Sequence, residues 1–354
     1  MTPENNTNMI NKLPFDINNR RTFLKLLTGS MAVSAFDTFT AHGFPFSGSP
    51  NTVGTTVSFV TGEDRRENIY KVLEPFINTI KEQIRGKQVI IKPNLVGKET
   101  ILCATHPDAI RGVLDFLKPL YKKTIWIAES TGRRYKDMPG TIKHYHLYDY
   151  FPLEKEFNVK LVDLNTHNYQ RIWVLGKEGH PMDIRIIDDF LNPNNYIISL
   201  CRIKTHNCMV VSLTAKNMLM GAPLVDDTRH DKGRMHTVDV KRLNYNLYLL
   251  AQKVQPQLAI LDGLEGMEGN GPTAGTGIHH GVAVAGTDFI AVDRVGCLLM
   301  GVPFEDVGYL TYCADSGVGQ GDLEKIKIIG PDPAKFVKTY KLHDNFERMM
   351  EWKN

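Results

Sequence analysis

Three lysines each stand at the end of an apolar run with an Asn or His close behind or beside them: Lys92 with Asn94, Lys204 with His206, and Lys216 with Asn217. An ammonium at the mouth of a sheet holds a phosphate or carboxylate as a point charge. Once desolvated, its lowered pKa suits general-base or Schiff-base work. A single lysine so placed ordinarily snorkels to solvent or pairs with a neighbouring acid. Three of them, each with a polar companion, point instead to one anion site. Lys204, His206 and Lys216 are accordingly the candidate catalytic residues, with His206 as the proton carrier. Lys92, Asn94 and Asn217 are candidate ligand-binding residues.

A second constellation is Gly-rich and acidic, running Asp262-Gly263-Leu264-Glu265-Gly266-Met267-Glu268-Gly269-Asn270-Gly271-Pro272-Thr273. Glycines let backbone N–H groups approach an anion, so Gly269, Asn270 and Gly271 are further ligand-binding candidates. Asp262 and Glu268 could hold a divalent metal through oxygen, with Glu265 between them, or serve as acid and base. The plain alternative is a turn-rich surface loop. No G-K-[ST] follows, so this is not a P-loop, and His280 stands where a dinucleotide fingerprint needs its third glycine. Glu129, Asp288 and Asp293 could complete a metal site or orient the lysines; Asp293 would otherwise satisfy the dipole of its own helix. The histidines of His144-x-His146, His279-His280 and the pair His230 and His236 have ligand-capable spacing, which in loops is weak evidence for a metal.

Strand-like and helix-like segments alternate along the chain, the pattern of an α/β fold with a mostly parallel sheet covered by helices, as one domain or two lobes around a cleft. Strands are expected over residues 57–61, 88–93, 124–129, 160–164, 196–203, 258–261, 281–285 and 326–329. Helices are expected over 68–84, from Pro107 onward, over 213–220 closed by Gly221, over 238–254 and over 289–300. Ile110, Val113, Leu114 and Leu117 keep the spacing of one buried helical face. The α/β domain spans 57–330, and 331–354 reads as a surface tail with a ragged helix over 336–354. Ligands of such sheets bind past the carboxyl ends of the strands, where the three lysines fall.

On the strand ending Ile91-Lys92-Pro93-Asn94, on Lys204-Thr205-His206, on Leu213-Thr214-Ala215-Lys216-Asn217 with Gly221, and on Asp262-Gly263 continuing to Gly269-Asn270-Gly271-Pro272, the chain resembles the domain of unknown function 362 family. The resemblance covers nearly all of the chain from about residue 57 to 329. Its members are often fused or linked to ferredoxin-like modules, which implies redox chemistry for some of them. This chain lacks their cysteine motif.

Its five cysteines, Cys103, Cys201, Cys208, Cys297 and Cys313, form no C-x-x-C pair, which excludes a ferredoxin-type cluster motif within the chain, and no iron–sulfur cluster is expected. Cys201 and Cys208 could form a disulfide in an oxidising compartment; Cys297, inside an apolar run, reads as a buried thiol. Net charge is +3 with both signs mixed along the sequence, so nothing suggests a nucleic-acid footprint. Near the N-terminus, Asn19-Arg20-Arg21-Thr22-Phe23-Leu24-Lys25 and the modest apolar run over 26–36 match a twin-arginine export signal. That signal region spans 1–36, and 37–56 reads as a linker. The run is too short for a bilayer span, which needs roughly 20 apolar residues. The expectation is a periplasmic or otherwise extracytoplasmic protein whose partners are the twin-arginine translocase and a small anionic molecule. The leading function is an enzyme on that molecule, with a divalent metal as the cofactor to test. A non-catalytic anion-binding protein and an accessory factor for a redox enzyme are the alternatives.

Overall fold

The computed structural model describes residues 54–97, 100–132 and 139–354. The export motif at 19–25 and the linker as far as residue 53 lie outside the described residues. From residue 54 the chain builds one central sheet. Its strands are β1 (Thr55–Thr61), β2 (Gln88–Lys92), β3 (Ile125–Glu129), β4 (Val159–Asp163), β7 (Asn195–His206), β8 (Val210–Ser212), β9 (Leu258–Glu268), β10 (Thr276–Gly286) and β11 (Ile326–Ile329). A separate antiparallel hairpin joins β5 (Tyr169–Leu175) to β6 (Pro181–Ile187). The helices are α1 (Arg65–Leu73), α2 (Ile77–Gln83), α3 (Pro107–Leu117), α4 (Gly140–Leu147), α5 (Pro152–Glu156), α6 (Thr214–Gly221), α7 (Asp231–Met235), α8 (Val240–Ala251), α9 (Phe289–Leu299), α10 (Gly308–Asp315) and α11 (Phe346–Met349).

Spatial order in the sheet is β11-β1-β10-β9-β7-β2-β3-β4, with β8 on β7. The run from β9 through β7, β2 and β3 to β4 is parallel throughout, and β1 pairs parallel with β11; only β10 and β8 run against their neighbours. The chain therefore forms the α/β fold with a mostly parallel, helix-covered sheet. Strands buried on both faces read as continuous apolar runs, and β2 shows why. Val89 and Ile91 belong to the apolar cluster that holds Ile69, Val72, Ile110 and Val113 of α1 and α3, whereas Ile90 belongs to the other, with Ala215, Leu247 and Val295 of α6, α8 and α9. The predicted inward face of α3 is observed: Ile110, Val113, Leu114 and Leu117 are all buried, with Pro107 in the first turn and His106 as N-cap.

Several boundaries differ from expectation for identifiable reasons. The helix expected over 68–84 is interrupted by a 3-10 turn at Glu74–Phe76. Pro75 sits there and has no N–H to continue the ladder. The acidic stretch read as a loop is strand as far as Glu268, because β9 extends to pair with β10 through Thr276↔Glu268. The first strand begins at Thr55, since Thr55 and Thr56 pair with Ile326 and Lys327 of β11. In place of one surface helix, the C-terminal segment forms short turns that bury Tyr340, Met349 and Trp352. All five cysteines are unbridged, including Cys201 and Cys208.

Candidate functional site

The sheet changes winding direction between β2 and β7: β3 and β4 follow on one side, β9 and β10 on the other. Such a switch point leaves a crevice at the carboxyl ends of the strands. A cleft of about 810 Å³ opens there, lined by Lys92 and Asn94 after β2, Glu129 and Thr131 after β3, His206 and Cys208 at the β7–β8 turn, Lys216 and Asn217 of α6, and His230, Lys232 and His236 of and beside α7. Asn345, Arg348 and Met349 of the C-terminal segment close one side.

Lys92 is nearly inaccessible, and its ammonium is saturated. It donates to Glu129 Oε2 at 2.8 Å, Asn217 Oδ1 at 2.9 Å and the Pro93 carbonyl at 3.0 Å. Gly221 makes room for it, since a Cβ there would sit 1.9 Å from Lys92 Cε. Asn217 is fixed in turn by donating to Ser199 Oγ at 3.1 Å. Asn94 bridges outward, donating to Asn217 Oδ1 at 3.3 Å and accepting from Lys204 Nζ at 2.5 Å. Lys204 also donates to the Cys103 carbonyl at 3.0 Å and lies a layer behind the cleft wall.

Lys216 differs from both. It lines the cleft and makes no hydrogen bond or ion pair among the described residues. Burial pulls its pKa down to about 8. Lys232, on α7, donates to Ser130 Oγ at 3.0 Å, and burial pulls it down to about 7. Ser130 accepts that bond because its own hydroxyl donates to the Gly221 carbonyl. Burial also depresses Lys204 to about 8 and His236 to about 4, and holds His206 well below the usual imidazole range. His206 Nδ1 accepts from the Cys208 N–H at 3.2 Å. Its ring is therefore neutral with hydrogen on Nε2. His230 is oriented the same way: Nδ1 accepts from Gly233 N–H at 2.7 Å, and Nε2 faces the Gly132 carbonyl at 2.6 Å.

Two neighbouring elements set these positions. Asp293, on α9, does not serve its own helix; both its oxygens cap α6, accepting from Thr214 N–H at 2.8 Å, Thr214 Oγ1 at 2.5 Å and Ala215 N–H at 2.9 Å. That anchors the first turn of the helix carrying Lys216 and Asn217. The short α7 is pinned by Asp231, which is fully buried and accepts from Arg185 Nε of β6 at 2.6 Å.

Of the sequence candidates, Lys92, Asn94, His206, Lys216 and Asn217 share this cleft, and Lys204 reaches it through Asn94. The acidic pair is not brought together. Asp262 and Glu268 lie six residues apart on one strand, roughly 20 Å at the rise of a β-strand. Asp262 pairs with Arg65 at 2.9 Å, and Glu268 accepts from the Lys341 N–H at 2.9 Å. No cluster of three or more metal-ligating side chains occurs among the described residues. Gly269, Asn270 and Gly271 serve the structure rather than lining the cleft: Gly269 donates to the Lys341 carbonyl, Asn270 pairs with Asp344, and Gly271 packs on the Thr205 backbone. Their successors Pro272 and Thr273 do line it. Asp288 caps α9, bonded to Ile290 and Ala291 N–H groups. Sequence reasoning missed Lys232 and Arg348 altogether and did not place Ser130 or Cys208 in the site. The spacing of His230 and His236 was a usable signal, because Lys232 lies between them.

Residues 89–298 match the family model described as a domain of unknown function, number 362. A thylakoid-associated protein of Synechocystis is 24% identical over 242 residues, covering 59% of this chain and 62% of that protein. The chain thus spans under two thirds of that relative's length. No solved structure matches the chain. No helix among the described residues is long and apolar enough to cross a membrane.

Proposed function

We propose, for a chain that belongs to the domain of unknown function 362 family, that the cleft is the active site of an enzyme acting on a small anionic substrate, with Lys216 as the reacting amine. The observation that carries this reading is the charge balance of the cleft. Glu129 is committed to Lys92 at 2.8 Å, and Asp239, the other acid lining the cleft, is paired with Arg242, so Lys216, Lys232 and Arg348 form no salt bridge among the described residues, although Glu129 and Asp163 lie within electrostatic range of Lys232. An anion compensates that excess. Arg348 binds it as a cation and Lys232 as a hydrogen-bond donor, Lys92 and Asn217 hold the wall rigid, and the neutral His206 offers an Nε2–H donor. Lys216, half-deprotonated near pH 8, exchanges a proton with the substrate or attacks it.

Native purification with mass spectrometry of the retained ligand supplies the substrate, and Lys216→Met tests the role. Turnover is expected to fall by at least about 100-fold, with ligand affinity still measurable. A variant that binds more weakly while neither form turns over ligand would instead identify a binding protein.

We also propose that the protein works outside the cytoplasm, exported by the twin-arginine translocase through Arg20 and Arg21. Changing both to Lys should retain the protein in the cytoplasmic fraction; undiminished appearance in the envelope would refute export by this route.

A further inference from the structure

We propose that the substrate of this cleft is a carbonyl compound bearing an anionic group, of which a 2-oxo acid is the simplest example, and that Lys216 joins it through a reversible imine. The inference rests on the anionic-substrate reading above and adds the functional group that reacts.

Four amines serve the region, and hydrogen bonding distinguishes them. Lys92 has three acceptors, Lys204 two, and Lys232 one. The hydrogens of Lys92 and Lys204 are held toward fixed oxygens, and Lys232, which also lines the cleft, holds one toward Ser130 Oγ. Lys216 alone among the four has no acceptor among the described residues and lines the open volume. A primary amine with no acceptor and no counter-ion can turn its lone pair to an incoming carbonyl carbon. Its setting favours that state, because burial disfavours the ammonium.

The lining of the cleft is both apolar and cationic. Met220, Val240, Leu243 and Met349 are apolar lining residues, whereas Arg348, and Lys232 while it keeps its proton below about pH 7, supply positive charge. The anionic group binds Arg348 and Lys232 and the carbonyl is left beside Lys216. The amine nitrogen bonds to the carbonyl carbon to give a carbinolamine. Both amine hydrogens then leave with the former carbonyl oxygen as water, giving a C=N bond, and a proton taken up from water makes the iminium. No oxidant or reductant is required.

The test is reductive trapping. Full-length protein is incubated with pyruvate and sodium borohydride, then weighed intact and mapped by peptide fragmentation. The expected result is one added pyruvate-derived group on Lys216, with trapping that rises through about pH 8 and is lost in Lys216→Arg. An adduct spread over surface lysines, or placed on Lys232 instead, overturns the proposal. Calorimetry with pyruvate separates the two levels of inference. Binding that depends on Lys216 without any trapped adduct overturns the imine and leaves the anion site standing; no binding and no adduct removes both.

Discussion

Lys92 and Lys216 are alike in sequence context and opposite in state. Lys92 is a structural cation: its three acceptors include a carboxylate, and the space it occupies exists only because position 221 is glycine. Gly221→Ala would place a methyl 1.9 Å from Lys92 Cε. Overpacking of this kind costs about 1–3 kcal/mol. The expected outcome is a lower melting temperature together with weaker anion binding, because Lys92 can yield only by leaving Glu129 and Asn217. Unchanged calorimetric affinity in this variant would show that the Lys92 network does not shape the cleft. At this scale the sequence located the lysines through the apolar runs before them. It could not say which were neutralised, since Glu129 and Asn217 approach Lys92 from segments far along the chain.

At the scale of elements, the site depends on helices held by residues of other helices and strands. Asp293 reads in sequence as a first-turn acid of α9, yet it caps α6, and only the packing of α9 against α6 reveals this. Asp293→Ala leaves the Thr214 and Ala215 N–H groups without their acceptor and the Thr214 hydroxyl with the Phe289 carbonyl alone. A loss of about 1–3 kcal/mol is expected from denaturant titration, with reduced ligand affinity as α6 loosens. Stability within about 0.5 kcal/mol of the parent would contradict the capping role. The β5–β6 hairpin and α7 were the least legible elements. Tyr169–Leu175 alternates buried Ile172 and Val174 with exposed Tyr169 and Arg171, but its turn lacks the two-residue signal of a tight hairpin. A five-residue helix such as α7 shows no periodicity to read, so Lys232 went unseen with it.

For the whole molecule, the sheet was readable because parallel strands buried on both faces are continuous apolar runs, and the switch point followed from their order. The acidic segment misled because glycines that suggested a loop are strand positions with close neighbours: a Cβ at Gly263 would lie 2.5 Å from Val282, and one at Gly266 would lie 2.3 Å from the Tyr340 hydroxyl. The proposed export rests on Arg20 and Arg21, outside the described residues, and its test is the paired arginine exchange. The central claim is that Lys216 lines the cleft with no hydrogen-bond or ion-pair partner among the described residues and loses its proton near pH 8. Its most direct test is reductive methylation of every lysine across a pH series from neutral to alkaline, read by mass spectrometry, with and without pyruvate. Lys216 is expected to label half-maximally near pH 8 and to be protected by pyruvate, while exposed lysines reach that point only above about pH 10. Labelling of Lys216 only alongside the surface lysines, unaffected by pyruvate, would contradict it.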